Sequence, residues 1–244
     1  METPSRVATI ASHLGVAGVL GLVVGPLAIQ IGALSPFKGF RLFLLGGLCG
    51  LLALVLGAIG LWRTRASAGR EGRGRALRGA LLGAAVLALI ASAAGSARSL
   101  PAINDITTNP DDPPVFVHAA QLPGNEGRDL SYPADFAAKQ RAGYPTLPPI
   151  RLEASLPDAF QRCVRAAEAL GWVITHHDPQ GGTLEATETS RIFRFVDDIS
   201  VRLRADGAAT VVDVRSKSRV GRGDMGANAK RIEAFRKQLT PGTE

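Results

Sequence analysis

Cysteine, clustered metal ligands and acidic residues in the N-terminal third are scarce in this sequence, and each shortage excludes a class of protein. Two cysteines in 244 residues cannot staple a disulfide-rich miniprotein. Cys49 lies in a long apolar run and Cys163 in the segment beyond the membrane spans, so the two cannot bridge within one chain. Cys163, among Phe160, Val164 and Ala167, reads as a buried small apolar residue rather than a nucleophile. No His or Cys stands at zinc-ligand spacing, and His176 and His177, adjacent on an expected strand, point to opposite faces, so no metal is expected. The serines lack a glycine elbow, and proline-rich sequence separates His118 from any nucleophile. No catalytic constellation and no cofactor follow from the residues.

The formal charge of +7 is unevenly spread. Residues 1–98 hold ten Lys and Arg against two acids, and residues 99–244 hold eighteen against nineteen, or +8 and −1. The basic character belongs to the N-terminal third, and nucleic acid is not an expected partner. A content of 46% hydrophobic and 20% charged residues also excludes a disordered or collagen-like chain.

Three apolar runs occupy that basic third, at about residues 13–34, 42–62 and 79–97. Each is near the ~20 residues a helix needs to cross ~30 Å of hydrocarbon. The first exceeds the ~7–15-residue core of a signal peptide and is followed by two more, so it reads as an uncleaved anchor. His13, Pro26 and Gln30 read as a helix end, a kink and a polar terminus. Apart from His13, no ionisable residue interrupts a span, which argues against a transporter or proton pump. Gly21 and Gly25, Gly46 and Gly50, and Gly79 and Gly83 recur at a four-residue spacing that lets helix backbones approach, favouring a three-helix bundle. The connection carrying Arg63, Arg65, Arg70, Arg73, Arg75 and Arg78 against Glu71 is expected to stay cytoplasmic. The N-terminus is then cytoplasmic and everything after Arg98 lies across the membrane, in the periplasm if the source is a bacterium. The expectation is a multi-pass inner-membrane protein with the lipid bilayer as partner. The arginine cluster is also of a kind that binds anionic headgroups, although its role in topology accounts for it.

Residues 99–149 form a proline-rich arm in which long helices are forbidden. Ile103, Ile106, Val115, Phe116, Tyr132, Phe136 and Tyr144 are too apolar for a solvated linker, so the arm is expected to wrap onto the domain that follows. Residues 150–244 read as β-α-β-β-β-β-α. Ser155 or Asp158 caps a helix with Phe160, Val164, Ala167 and Leu170 on one face, and Gly171 ends it. Strands are expected at Trp172–His177, Thr183–Thr189, about Arg191–Arg204 and Ala208–Ser218, then a helix with Ile232, Phe235 and Leu239 on one side. The fold class is α+β: a three-helix transmembrane bundle, then an antiparallel sheet with two helices on one face.

A two-residue turn at Asp206-Gly207 would oppose Ala205 to Ala208, Leu203 to Thr210, Val201 to Val212, Ile199 to Val214, Asp197 to Ser216 and Phe195 to Ser218. That puts Val201, Ile199, Val212 and Val214 on one face, with Asp198 opposite Arg215 and Arg202 diagonal to Asp213 on the other. Asp197 then falls on the apolar face and needs partners. Asp197, Ser216, Ser218, Arg219, Asp224 and Asn228 are the expected polar cluster, against the alternative of a β-bulge at Val196–Asp198 with Asp224 as a plain helix cap. The glycine-rich basic run Arg215–Ile232 lacks P-loop spacing; an anion site and a structural turn are both open for it.

The phrases Phe195-Val-Asp-Asp198, Val214-Arg-Ser-Lys-Ser-Arg-Val-Gly221, Asp224-Met-Gly-Ala-Asn228 and Arg231-Ile232 resemble domain of unknown function (DUF) family 1499. Ala102-Ile-Asn-Asp-Ile-Thr-Thr108 and Asp112-Pro-Pro114 resemble that family's N-terminal segment. The resemblance spans about Leu100–Leu239 and implies a fold and an envelope setting, not a reaction. The family pattern usually carries histidine where this chain has Asn104, so a base or ligand at that place would be lost here. The arm residues Asn104, Asp105 and Thr107 are additional site candidates. The leading expectation is a periplasmic binding or scaffold domain. The alternatives are an envelope enzyme using Asp105 or Asp197 as acid/base with Arg219 holding an anionic substrate, and a structural partner of another membrane protein.

Overall fold

The computed structural model describes residues 3–65, 70–95 and 100–241. The chain divides into two compact units, Met1–Gly95 with Arg191–Arg194, and Ser96–Ser190 with Phe195–Glu244.

The first unit contains α1 (Arg6–Gln30), α2 (Pro36–Arg63) and α3 (Arg73–Ala94), three helices long and apolar enough to cross a membrane. α1 starts at Arg6, before the apolar run, because the Ser5 hydroxyl accepts from the Ala8 amide and caps it there. It stops at Gln30, ahead of the expected boundary, where Gly32 takes a positive φ of 74° and donates back to the Ile29 carbonyl. Residues 96 and 97, at the end of the third expected span, fall outside the described residues. Strands β1 (Thr3–Pro4) and β2 (Arg70–Glu71) pair in parallel beside the starts of α1 and α3.

The repeated glycines lie at the helix crossings. A Cβ added at Gly21 would stand 2.7 Å from the Gly46 Cα, and one at Gly83 would stand 2.4 Å from the Gly50 carbonyl oxygen. Backbone touches backbone there, which side chains of any size would prevent.

The second unit is an α+β domain. Strands β3 (Asp105–Thr107), β4 (Ile150–Leu152), β5 (Val173–Asp178), β6 (Thr183–Thr189), β7 (Val196–Asp206) and β8 (Ala209–Ser218) form one antiparallel sheet in the order β3-β8-β7-β6-β5, with β4 also on β8. Helices α5 (Leu156–Ala169) and α6 (Ala227–Leu239) pack on one face. Ser155 caps α5 by accepting from the Asp158 amide, and α4 (Phe136–Gly143) interrupts the arm. The core joins Ile199, Val201 and Val214 from the hairpin to Phe160 and Cys163 of α5 and Ile232 and Phe235 of α6. Trp172 stacks on Phe235 with centroids 4.9 Å apart. Burial pushes the Cys163 thiol up to about 12, in keeping with an inert core residue.

The long hairpin corrects the expected register. Asp206 pairs with Ala209, so Gly207-Ala208 make the turn; Leu203 faces Val212, Val201 faces Val214, Ile199 faces Ser216 and Asp197 faces Ser218. Gly207 has a φ of 62° while Ala208 has no positive φ, the pattern of a II′ turn, in which glycine takes the first central place. A shift of two residues leaves every side chain on its expected face. It also changes the charge pairs: Asp198 is opposite Lys217 rather than Arg215, and Arg202 is directly opposite Asp213. The first of these strands starts at Val196, not Arg191.

Along most of β7 and β8 both faces of the sheet are buried. The face away from α5 and α6 carries Asp198, Ser200, Asp213, Arg215 and Lys217, all buried, and the arm is fastened to it. Beyond β3, which pairs with β8, proline leaves arm carbonyls without matching N–H donors, and this part of the arm does not extend the ladder. The sheet's side chains supply the donors instead: Arg202 to the Asp112 carbonyl (2.6 Å), Arg215 to Pro114 and Leu130 (3.0 and 2.7 Å), Ser200 to Val115 (3.0 Å) and Arg219 to Pro123 (2.7 Å). Glu185 does the converse, accepting from the amides of Val117, His118 and Ala119 at 2.6–3.1 Å where a single 3₁₀ turn (Ala119–Gln121) begins.

Candidate functional site

Alternation along β7 and β8 sorts the polar side chains into two networks, one on each side of the sheet. On the helix side Arg231 is the hub. Its guanidinium donates to Asp197 Oδ2 (2.6 Å), Asn228 Oδ1 (2.6 Å) and Ser216 Oγ (2.9 Å), and it also pairs with Glu188. Ser216 donates to Asn228 Oδ1 at 2.7 Å, and Asn228 Nδ2 donates to Ser218 Oγ at 3.0 Å and to the Asn104 carbonyl at 3.2 Å. Asp224 accepts from the Gly226 and Asn228 amides, both at 2.9 Å, and so holds the start of α6. Burial raises the Asp197 carboxyl above the usual carboxylate range, opposed by Arg231 and the Ser218 hydroxyl.

Four of the six expected cluster residues, Asp197, Ser216, Ser218 and Asn228, therefore join one network on this side, and β7 pairs regularly through Asp197 without a bulge; Asp224 bonds to backbone amides alone, the helix-cap role of the alternative. Arg219 is the correction. It continues the alternation of Arg215 and Lys217 onto the other face, where it grips Asp198 with Nε at 3.0 and 3.1 Å and Nη2 at 2.6 Å. Arg231 was missed, although it stands three residues after Asn228 and so shares its helix stripe.

The network on the arm side is larger. Asp105, fully buried, takes a two-pronged contact from Arg215 at 2.9 and 2.7 Å and a third bond from Lys217 at 2.9 Å. The Arg215 guanidinium, 2% exposed as a residue, lies 4.7 Å from the Phe116 ring centroid and 5.5 Å from that of Tyr132. Burial, with the Asp105 charge behind it, pushes the Tyr132 hydroxyl up to about 12. Asn125 Nδ2 adds a bond to Asp198 at 2.9 Å, and Asp213 takes Arg202 and Arg204 at 2.8 and 2.7 Å. Asn104 Nδ2 donates to the Gly221 carbonyl at 2.6 Å, and Thr107 exchanges backbone bonds with the Gln140 side chain at 2.9 and 2.6 Å.

Acid/base chemistry needs a carboxyl that substrate can reach. Asp105 and the 5%-exposed Asp197 are both enclosed, and the sheet stands between them. His176 stacks on His118 with centroids 5.2 Å apart, and among the described residues no three His, Cys, Asp or Glu side chains group as metal ligands. A family model described as "Protein of unknown function (DUF1499)" matches residues 105–239, more than half of the chain, and covers both networks apart from Asn104. No curated protein matches the chain.

Proposed function

The chain belongs to the DUF1499 family, and we propose that it is a non-catalytic binding and scaffold domain held on the outer side of a membrane by its three N-terminal helices. The observation that carries this reading is the separation of Asp105 and Asp197 on opposite sides of the sheet, each enclosed by its own cations. An enzyme using both on one substrate would need a shared cleft. Arg219, the residue an anionic substrate would need, already turns three of its five N–H donors to Asp198 and the Pro123 carbonyl. In a bacterium the basic α2–α3 connection would place the domain in the periplasm.

Thermal unfolding of the full chain in inorganic phosphate, against chloride of equal ionic strength, tests the reading. The expected result is no phosphate stabilisation that depends on Arg219, while Arg219→Gln lowers Tm in either salt because the buried Asp198 loses its cation. A phosphate-induced rise in Tm that Arg219→Gln abolishes would replace the scaffold with an anion site.

A further inference from the structure

A cavity of about 490 Å³ opens on the flank of the helix bundle, between α1 and α3, and is lined by Thr9, Ser12, His13, Val16, Arg75 and Arg78. Arg75 and Arg78 are exposed and have no carboxylate partner among the described residues; Arg75 reaches the Thr9 hydroxyl at 3.4 Å. Neither the Arg78 guanidinium nor the His13 ring has a hydrogen-bond partner among the described residues. The cavity therefore presents two uncompensated guanidinium groups, an imidazole and two hydroxyls. Glu71 is the one acid among the described residues of the three helices and their connections.

Depth decides what such a cavity meets. At 1.5 Å per residue, His13 lies roughly 10 Å along α1 and Arg78 roughly 8 Å along α3, both counted from the bundle end where β1 pairs β2. That is the level at which a spanning helix passes from headgroups to hydrocarbon. Beyond it the spacing His13, Val16, Leu20, Val23 continues the same face of α1 with apolar side chains, and Leu20 and Val23 are exposed. A charged cavity above an exposed apolar helix face matches a phosphate joined to acyl chains. Arginine forks suit phosphate oxygens better than single ammonium groups would.

We propose that this cavity is a binding site for the phosphate of an anionic glycerophospholipid, with Arg75 and Arg78 as the forks, His13, Ser12 and Thr9 as further polar contacts, and the Val16–Val23 face beneath one acyl chain. The site is independent of the scaffold reading of the other unit, since it uses none of its residues.

Native mass spectrometry of the full chain from mixed micelles of phosphatidylglycerol and phosphatidylcholine tests it. The parent is expected to retain phosphatidylglycerol preferentially, and Arg75→Gln with Arg78→Gln to reduce that preference by about tenfold. Arg63→Gln with Arg65→Gln, the same charge change at the same end of the bundle but outside the cavity, is expected to keep it. Arg75→Lys with Arg78→Lys is expected to retain part of it, which separates a binding defect from misfolding. Equal loss in the Arg63/Arg65 pair, or no phosphatidylglycerol preference in the parent, would overturn the site. Retention of glycerol 3-phosphate as strong as that of the lipid would also overturn it, because the ligand would then be a free phosphate ester.

Discussion

At the scale of single residues, the domain's charged groups act as fasteners, and their removal should read as lost stability. Asp105→Ala leaves Arg215 and Lys217 buried without their carboxylate. Breaking one side of such a pair costs about 3–5 kcal/mol, so thermal unfolding should show a large fall in Tm with the secondary structure of any surviving folded fraction unchanged. Asp197 behaves differently because burial raises its pKa in the folded state. Its contribution is fully present below the carboxyl's unfolded pKa and is lost as pH rises through the folded value. Asn keeps the shape and cannot ionise. The Tm gap between the parent and Asp197→Asn should therefore be widest near pH 4 and narrow or reverse toward pH 7. A gap that widens with rising pH would mean that the Arg231 pairing outweighs desolvation.

At the scale of elements, what could be read from the sequence depended on whether a contact is local. The α5 cap at Ser155, the apolar stripes of α5 and α6 and the faces of β7 and β8 follow from spacing within a few residues. The hairpin register did not, because Asp206-Gly207 satisfies one turn type and Gly207-Ala208 another, and both keep the valines inward. The docking of the arm was legible as apolar content but not as geometry, since Asp105 and Arg215 are 110 residues apart and no period links them. Arg219 could have been placed, because Arg215, Lys217 and Arg219 alternate with Ser216 and Ser218. The glycine spacing of the helices was legible and makes the next prediction. At Gly83 an added Cβ would meet the Gly50 carbonyl oxygen at 2.4 Å and the Leu54 amide nitrogen at 2.5 Å, both backbone atoms that no rotamer change can move. Gly83→Ala should destabilise the bundle by about 1–3 kcal/mol, seen as a lower midpoint for loss of helical circular dichroism in detergent. Gly74→Ala, where a Cβ meets nothing within 4 Å, is the matched control and should leave that midpoint in place.

At the scale of the whole molecule, the proposed function depends on which side of a membrane each end of the bundle faces. The α2–α3 end of the bundle concentrates Arg63, Arg65, Arg70, Arg73, Arg75 and Arg78, whereas the α1–α2 end has Lys38 and Arg41. Lys and Arg within ~15–20 residues of a span decide orientation, so the first set should remain cytoplasmic and the sheet domain should cross. A single reporter reads this out. Ala208 is exposed at the hairpin tip, and Cys163 is fully buried with its thiol pushed up to about 12, so in folded protein a cysteine placed at Ala208 is the reactive one outside the helices. In intact bacterial cells with a permeabilised outer membrane, a membrane-impermeant maleimide should label Ala208→Cys without lysis. Neutralising Arg63, Arg65, Arg70 and Arg73 together while adding two lysines beside Lys38 should reduce that labelling, because the charge bias then favours the opposite insertion. Arg75 and Arg78 are left intact in this variant so that the cavity between α1 and α3 is preserved. Labelling of Ala208→Cys that requires lysis in the parent chain would place the domain in the cytosol and remove the extracytoplasmic scaffold.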